Sequence, residues 1–487
     1  MTPYLRAANV TWSGLDLSDV KQMNFRPEEQ ATYALHPGDI LMSEASGSAR
    51  EVGKPAIWAG EIPGCCFQNT LIRVRPPTGM TRFLYYHLLR DAILGRFVDH
   101  SKGVGIHHLG AERLSILEMW VAPLREQARI VSGIEQHLSD IDAGVTALDR
   151  VLANLKRYRA AVLKAAGEGR LVQIEAQLAR TENRDYEPAS ALLARILKER
   201  RARWEQEQLA KMRATGRMPR DDRWKARYVE PASPDTSALP ELPEGWCWAE
   251  LGQLVSSVKD GPHYSPKYAD DPDSIPFITG GNVRPDGVDF DGAKRISRDL
   301  HDELCKRVRP AVGDILYTKG GTTGIARVNT YAREFSVWVH VAVLKLVGFI
   351  EPFYIQHALN SPFCYAQAQR YTHGVGNQDL GLTRMIHIVL AVPPLAEQTR
   401  IVGEVDRLLS IADETQHAVR AQLARADRLR RALLERAFNG KLVPQDPSDE
   451  PASALLARIA AAKKNVEPVK PPKRGRRRRE PPTSEAG

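Results

Sequence analysis

The chain has 487 residues, 43% of them apolar, and a formal net charge of +9, so it is long enough to bury several cores. It has no apolar run of about 18 residues and no basic and apolar stretch behind Met1, so it is expected neither to span a membrane nor to carry a signal peptide. Five cysteines (Cys65, Cys66, Cys247, Cys305 and Cys364) show no CxxC spacing, which argues against a zinc site or a disulfide framework and for reduced thiols in the cytoplasm.

Residues 1–122 mix strand-like runs such as Thr70–Val74 with a helical stretch near Phe83–Leu94, punctuated by HPGD at His36 and GVG at Gly103. PLREQARIV (Pro123–Val131) then opens a long periodic segment. Apolar residues fall at Val131, Ile134, Leu138, Ile141, Val145, Leu148, Leu152, Leu155 and Val162, a heptad seam interrupted by Arg159. About 40 residues at about 1.5 Å each predict a rod of roughly 60 Å. The block EPASALLARI follows at Glu187–Ile196, and Leu197–Tyr228 is basic and polar on most faces before it breaks at Gly216 and Pro219. It reads as a solvated helix and linker, with a DNA-binding arm as the alternative.

Residues 241–392 repeat the plan of the first region. PFITGGNV at Pro276 matches PYLRAANV at Pro3, VGDIL at Val312 matches PGDIL at Pro37, FYIQHAL at Phe353 matches FLYYHLL at Phe83, and HGVGNQDL at His373 matches KGVGIHHL at Lys102. PLAEQTRIV (Pro394–Val402) shares seven of nine residues with its first copy and opens a second seam at Val402, Val405, Leu409, Ala412, Val419, Leu423, Ala426 and Leu433, interrupted by Gln416 and Arg430. An offset of 271 holds without a gap to Leu171/Val172 and Leu442/Val443, and EPASALLARI recurs letter for letter at Glu450–Ile459. The chain is a duplication. A seam two positions wide suits one partner helix, which the other copy supplies; an amphipathic helix packed on its own domain is the alternative. From Lys463 to the end, nine Lys/Arg against three Glu make a Pro-rich basic arm, expected to be disordered and to carry most of the charge.

The copies keep their rods and let their globular parts drift, so the rods share one task while each domain recognises something different. The glycine turns TGGN (Thr279–Asn282), TKGGTTG (Thr318–Gly324) and HGVGNQ (His373–Gln378) bring backbone close to a partner and present polar side chains. Asn282, Lys319, Thr322, Thr323, Arg327, His373, Asn377 and Gln378 are candidate DNA contacts, and the first-domain counterparts are Arg6, Asn9, Ser43, Ser46, Arg50, Lys102, His107 and His108. Each is also a common turn former or solvated loop residue. On the rods, Arg125, Glu126, Arg129, Glu397 and Arg400 lie outside the seam and are candidates for binding another chain, although Glu126 and Glu397 also suit a helix start.

The PL.EQ.RIV motif opening a long helix, the two-copy layout, the entry LPEGWCWAELGQL (Leu242–Leu254) and the VGDIL that follows resemble the DNA-specificity subunit of type I restriction-modification systems, over roughly residues 3–460. The resemblance implies an α+β protein with two globular α/β target-recognition domains separated by two long antiparallel coiled-coil helices. Its divisions would be 1–122, a central helical region 123–215, a linker 216–240, 241–392, a C-terminal helical region 393–460 and the tail 461–487. It further implies double-stranded DNA, two methyltransferase subunits and restriction/translocase subunits as partners, with S-adenosylmethionine, ATP and magnesium held by those partners. No cofactor is expected in this chain.

Two features depart from that family's pattern, the basic arm and the front of the first domain. Pro3 matches Pro276, whereas the second domain starts near Leu242, so the first domain is expected to lack a counterpart of Leu242–Ile275. An uncalled upstream start is preferred to a truncated gene or a replacement segment.

Catalysis is not expected. The Pro-Pro pairs at Pro76, Pro393, Pro471 and Pro481 lack the aromatic turn of amino-methyltransferases, no phosphate loop occurs, and no Pro-Asp pair is followed by a nuclease D/E-x-K. A scaffold without DNA contact and a stand-alone DNA-binding regulator remain as alternatives.

Overall fold

The computed structural model describes residues 1–46, 51–97, 107–216, 218–374 and 379–464. They form two compact units: Met1–Asp149 with the segment from Arg420 onward, and Arg150–Val419. The linear divisions expected from sequence therefore cut across the packing, because each long helix contributes one half to each unit.

Those helices are Leu124–Gly167 and Leu395–Phe438, 44 residues apiece, with both ends at matched positions of the duplication. Each starts behind a proline, whose carbonyl accepts the amide of Gln127 (2.8 Å) or Gln398 (3.0 Å). Each stops at a left-handed glycine, Gly169 or Gly440, and the amides of Arg170 and Lys441 close back on Ala165 and Arg436 at 2.9 Å. Every seam position named from sequence is buried or half-buried, with exposed residues on the outer faces.

In the second unit, Val255–Asp260, Val341–Leu346, Ile315–Thr318 and Ala326–Val328 form an antiparallel sheet in that spatial order. Ile275–Ile278 pairs with Lys294–Ile296 on one side and, in parallel, with Ser336–Val337 on the other. Cys247–Glu250 pairs with Val389–Val392. All four residues of Ile315–Thr318 are buried, as befits a strand covered on both faces. Trp246, Leu251, Leu254 and Leu390 share one core with Val162 and Ala166 of the first rod and Ile401 and Val405 of the second.

Two readings of the sequence are corrected here. LGQLVSSV (Leu251–Val258), a strand-like run by its apolar content, begins with the helical turn Leu251–Leu254 and becomes strand at Val255. Leu251 and Leu254, three apart, both enter the core, and Gln253 accepts the Glu250 amide at 2.9 Å. The stretch Leu197–Tyr228 is also not wholly solvated. Its helix, Ala189–Ala214, docks through Arg200, which donates to the Val255 carbonyl at 3.0 Å, and Trp224 stacks on Trp204 at 5.9 Å.

The first unit reproduces the plan with fewer strands. Ile40–Ser43 is flanked by Pro55–Ile57 and Leu71–Val74, both antiparallel, and Thr2–Leu5 pairs with Lys21–Met23 and, in parallel, with Cys66–Phe67. The helix Thr81–Ile93 docks on the rods through Phe83, whose ring lies 5.3 Å from Phe438, beside Ile130 and Ile134. Leu71–Val74 matches the internal strand Val341–Leu346 yet forms a sheet edge, and Glu118–Val121, matching Val389–Val392, forms no strand.

Candidate nucleic-acid interface

The turn after Ile315–Thr318 builds the strongest candidate site. Thr318 accepts the Gly324 amide on its carbonyl and the Ile325 amide on its hydroxyl, both at 2.9 Å, which folds Lys319–Gly324 into a compact loop. Beneath it, Lys319 is 3% exposed, with Nζ 2.7 Å from Asp379 and 3.6 Å from Asp260. Asp260 also accepts Arg307 at 2.6 Å and faces His263 Nε2 at 3.3 Å. The next residue, Gly261, runs so close to the backbone that a Cβ would sit 1.7 Å from the Val337 carbonyl oxygen, so glycine alone fits there. Burial, then the Lys319 charge, holds His340 below the ordinary imidazole range, so it presents a neutral ring.

Several predicted contacts are used inside the fold, and those expectations are corrected. Lys319 is a buried, doubly paired cation, not a free reader. Asn282 accepts the Thr279 amide (3.0 Å) and hydroxyl (2.7 Å) and donates to the Asp289 carbonyl (3.2 Å), closing its own turn. Asn9 does the same work through the Arg6 amide (3.0 Å) and the Asp16 carbonyl (2.8 Å). Ser43 is buried in its strand, and Thr323 is buried behind the loop. Arg6 is paired with Asp19 and Arg327 donates to the Pro285 carbonyl, both half-buried. Thr322 and His373 are exposed. His107 and His108 lie in a strand paired with Ala45–Ser46. Arg50, Lys102, Asn377 and Gln378 fall outside the described residues.

The loop between Asp260 and Ile275 was missed as a contact surface. It carries His263, Tyr264, Lys267 and Tyr268, all exposed. The Tyr264 carbonyl accepts Trp338 Nε1 at 3.1 Å, Trp338 lies edge-on to His340 at 4.7 Å, and Lys294 Nζ stands 4.3 Å from the Tyr268 ring centroid. GPHYSPKY, a run of His, Tyr and Lys between prolines, was the available signal. Exposed rings, hydroxyls and cations on one face suit stacking, hydrogen bonding and phosphate contact. Among the described residues, no group of three His, Cys, Asp or Glu is placed to hold a metal ion. Burial pushes the thiols of Cys65 and Cys247 up to about 11 and that of Cys364 to about 12, away from nucleophilic use.

The rod residues proposed for another chain also require correction. Glu397 is fully buried, accepting the Glu175 amide at 2.8 Å and Trp246 Nε1 at 3.1 Å. Burial raises its carboxyl pKa above the ordinary value. Arg400 pairs with Glu175 at 2.6 Å and Arg129 with Asp449 at 2.7 Å. Glu126 is buried, and only Arg125 of the five is exposed. First-turn residues of a helix that packs on both sides are drawn inward, which a seam defined by apolar periodicity does not reveal.

Residues 243–425 match the family described as the type I restriction modification DNA specificity domain. Over most of its length the chain is similar to type I restriction-modification specificity subunits. It is 24% identical over 442 residues to the type I restriction enzyme EcoBI specificity subunit of Escherichia coli, covering 88% of this chain and 80% of that one. Against the EcoKI specificity subunit of Escherichia coli strain K12, identity is 22% over 483 residues, with 94% and 88% covered. A chain from a study of complex assembly and conformational transition in the type I R-M system has a similar fold, with a TM-score of 0.55 and 17% identity over 90% of this chain and 92% of that one. The fold is two sheet-containing domains joined by long helices.

Proposed function

We propose that this chain is the non-catalytic subunit that reads a bipartite DNA target, one half with each unit, and directs methyltransferase and endonuclease subunits to it. The observation that carries this reading is the duplication: two units share one sheet plan, differ in the loops above it, and each take half of both matched rods. In the second unit, Thr322, His263, Tyr264, Tyr268 and Lys294 form the reading face, while Lys319, Asn282 and Gly261 shape it from beneath. The outer faces of the rods, Arg125 among them, are left for two methyltransferase subunits. S-adenosylmethionine, ATP and magnesium would be held by the partners, and the assembly would work in the cytoplasm.

The test is to co-purify the chain with type I methyltransferase subunits and measure binding to a randomised duplex pool over a salt series. Affinity should fall steeply with salt and the selected pool should hold a bipartite site. A chain that binds the subunits but leaves duplex unbound at low salt would be a scaffold. A single contiguous site bound without the subunits would instead mark a stand-alone regulator.

A further inference from the structure

The basic stretch Leu197–Tyr228 takes no part in the reading face, yet it folds as a built hairpin. The helix Ala189–Ala214 ends just before Gly216, whose φ of 67° turns the chain, and the return segment packs back along the helix. Trp224 stacks on Trp204 with the two rings 24° from parallel, and Tyr228 packs on the same Trp204 ring at 5.2 Å. Arg200 donates to the Tyr228 hydroxyl at 2.7 Å, and Arg201 meets Glu230 at 3.6 Å. Trp224 is buried, so the hairpin has an aromatic core of its own.

Ion pairs divide the charges of the hairpin unevenly. Glu199 takes Arg203, Glu205 takes Arg201 and Lys225, Asp221 takes Arg223, and Asp222 shares Lys225. With Glu230 on Arg201, every acid from Leu197 to Glu230 except Glu207 is matched within the hairpin. Lys198, Lys211, Arg213, Arg220 and Arg227 are exposed and have no ion pair among the described residues. Three of them, Lys211, Arg213 and Arg220, flank the bend at Gly216. The dipole at a helix C-terminus accounts for cations at Lys211 and Arg213, but not for Arg220 beyond the helix or for Lys198 and Arg227 towards its base. A protein partner would need an apolar centre to desolvate, and around the bend Met218 is the one large apolar side chain exposed among the described residues. Unpaired cations on a rigid polar tip instead fit a run of phosphates, which asks for charge and imposes no base sequence.

We propose that this hairpin is a further DNA contact of the chain, binding backbone phosphates of the duplex beside the recognised bases, a role that rests on the DNA-binding reading above. Lys211, Arg213 and Arg220 make the phosphate contacts. The stacked tryptophans hold the tip in shape, and Arg200 on the Val255 carbonyl fixes its base to the second unit's sheet. The hairpin adds affinity and salt dependence, while the choice of bases stays with the loops.

The experiment takes the full chain with its methyltransferase subunits and measures duplex binding across a salt series. Lys211→Gln, Arg213→Gln and Arg220→Gln together should lower affinity roughly tenfold or more at low salt, alike on target and random duplex, and flatten the slope of log K against log salt by about 2–3. Glu207→Gln removes the unmatched acid and should strengthen binding, a gain that misfolding cannot produce. The selected base sequence should stay that of the parent chain in both variants. An unchanged slope in the triple variant, or a change in the selected bases, would overturn the proposal and leave the bipartite reading standing. Loss of the methyltransferase subunits with an unchanged slope would make the hairpin a protein-docking surface and overturn it as well. A parent chain that bound no duplex at any salt would overturn the DNA-binding reading itself, and this role with it.

Discussion

Arg159 on the first rod reaches Asp413 on the second, Nη2 to Oδ1 at 2.6 Å. Its duplicate pairs Arg430 with Asp142 at 2.5 Å, and each partner lies 271 residues from its mate. The two arginines are the charges that interrupt the apolar seams, so the breaks in the heptad pattern are where the rods hold each other by charge. Each pair is part-exposed, which limits its contribution to about 0.2–1 kcal/mol and gives it the task of setting register.

A double-mutant cycle on Arg159→Ala and Asp413→Ala should therefore give a coupling of about 0.2–1 kcal/mol in urea unfolding, shrinking in high salt. The Arg430/Asp142 cycle should match it. Charge reversal of both members of one pair should restore most of the stability lost on reversing one, and a failure to restore would remove the register role.

Glu397→Ala leaves the Trp246 indole and the Glu175 amide without acceptors, at a cost of about 1–3 kcal/mol each. Glu126→Ala, which removes no hydrogen bond among the described residues, should cost less. Thermal melting of the two variants compares them directly, and equal losses would contradict the asymmetry.

Protonation gives a second reading of Glu397. Because its folded pKa lies above the unfolded value, the folded state keeps the proton longer and stability falls as pH rises from the ordinary carboxylate value through the raised one. Glu397→Gln has no such proton, so its deficit should shrink over that window. Glu175 acts below it: burial opposes ionisation, but hydrogen bonds from Arg184 and Arg400 hold its carboxyl low, and that stability is lost as pH falls through the lowered value.

Beneath the candidate reading face, Lys319→Met removes the buried cation between Asp379 and Asp260, but Arg307 stays on Asp260 and Asp379 is part-exposed, so the loss should fall below the roughly 3–5 kcal/mol of a fully buried pair. Loss of DNA binding in that variant should accompany lower melting. Thr322→Val and Tyr264→Ala, at exposed positions, should weaken binding with melting unchanged, by about 1–3 kcal/mol for a stacking ring. Weak binding by Lys319→Met with unchanged melting would return Lys319 to the contact surface.

These contrasts mark how far the sequence could be read. Both rods begin at the repeated Pro-Leu and end together because their periodicity, proline starts and glycine stops are local signals. The sheet plan was legible through four ordered anchors. The site was less so, since Lys, Asn and Thr in glycine turns look alike whether they face solvent or close the turn beneath it. Asn282 and Lys319 differ from Thr322 only in burial, which depends on strands distant in sequence. EPASALLARI makes the limit plain: Leu192 and its counterpart Leu455 are both buried, yet Leu193 is half-buried where the identical Leu456 is 48% exposed, because their surroundings differ.

The central claim, that each unit reads its own half of the target, is tested most directly by exchanging the loop His263–Tyr268 for that of another specificity subunit and mapping methylated bases when the chain works with its methyltransferase subunits. The account predicts that one half of the bipartite site changes while the other half and the spacer length stay as they were. A change in both halves, or an unchanged site, would contradict it.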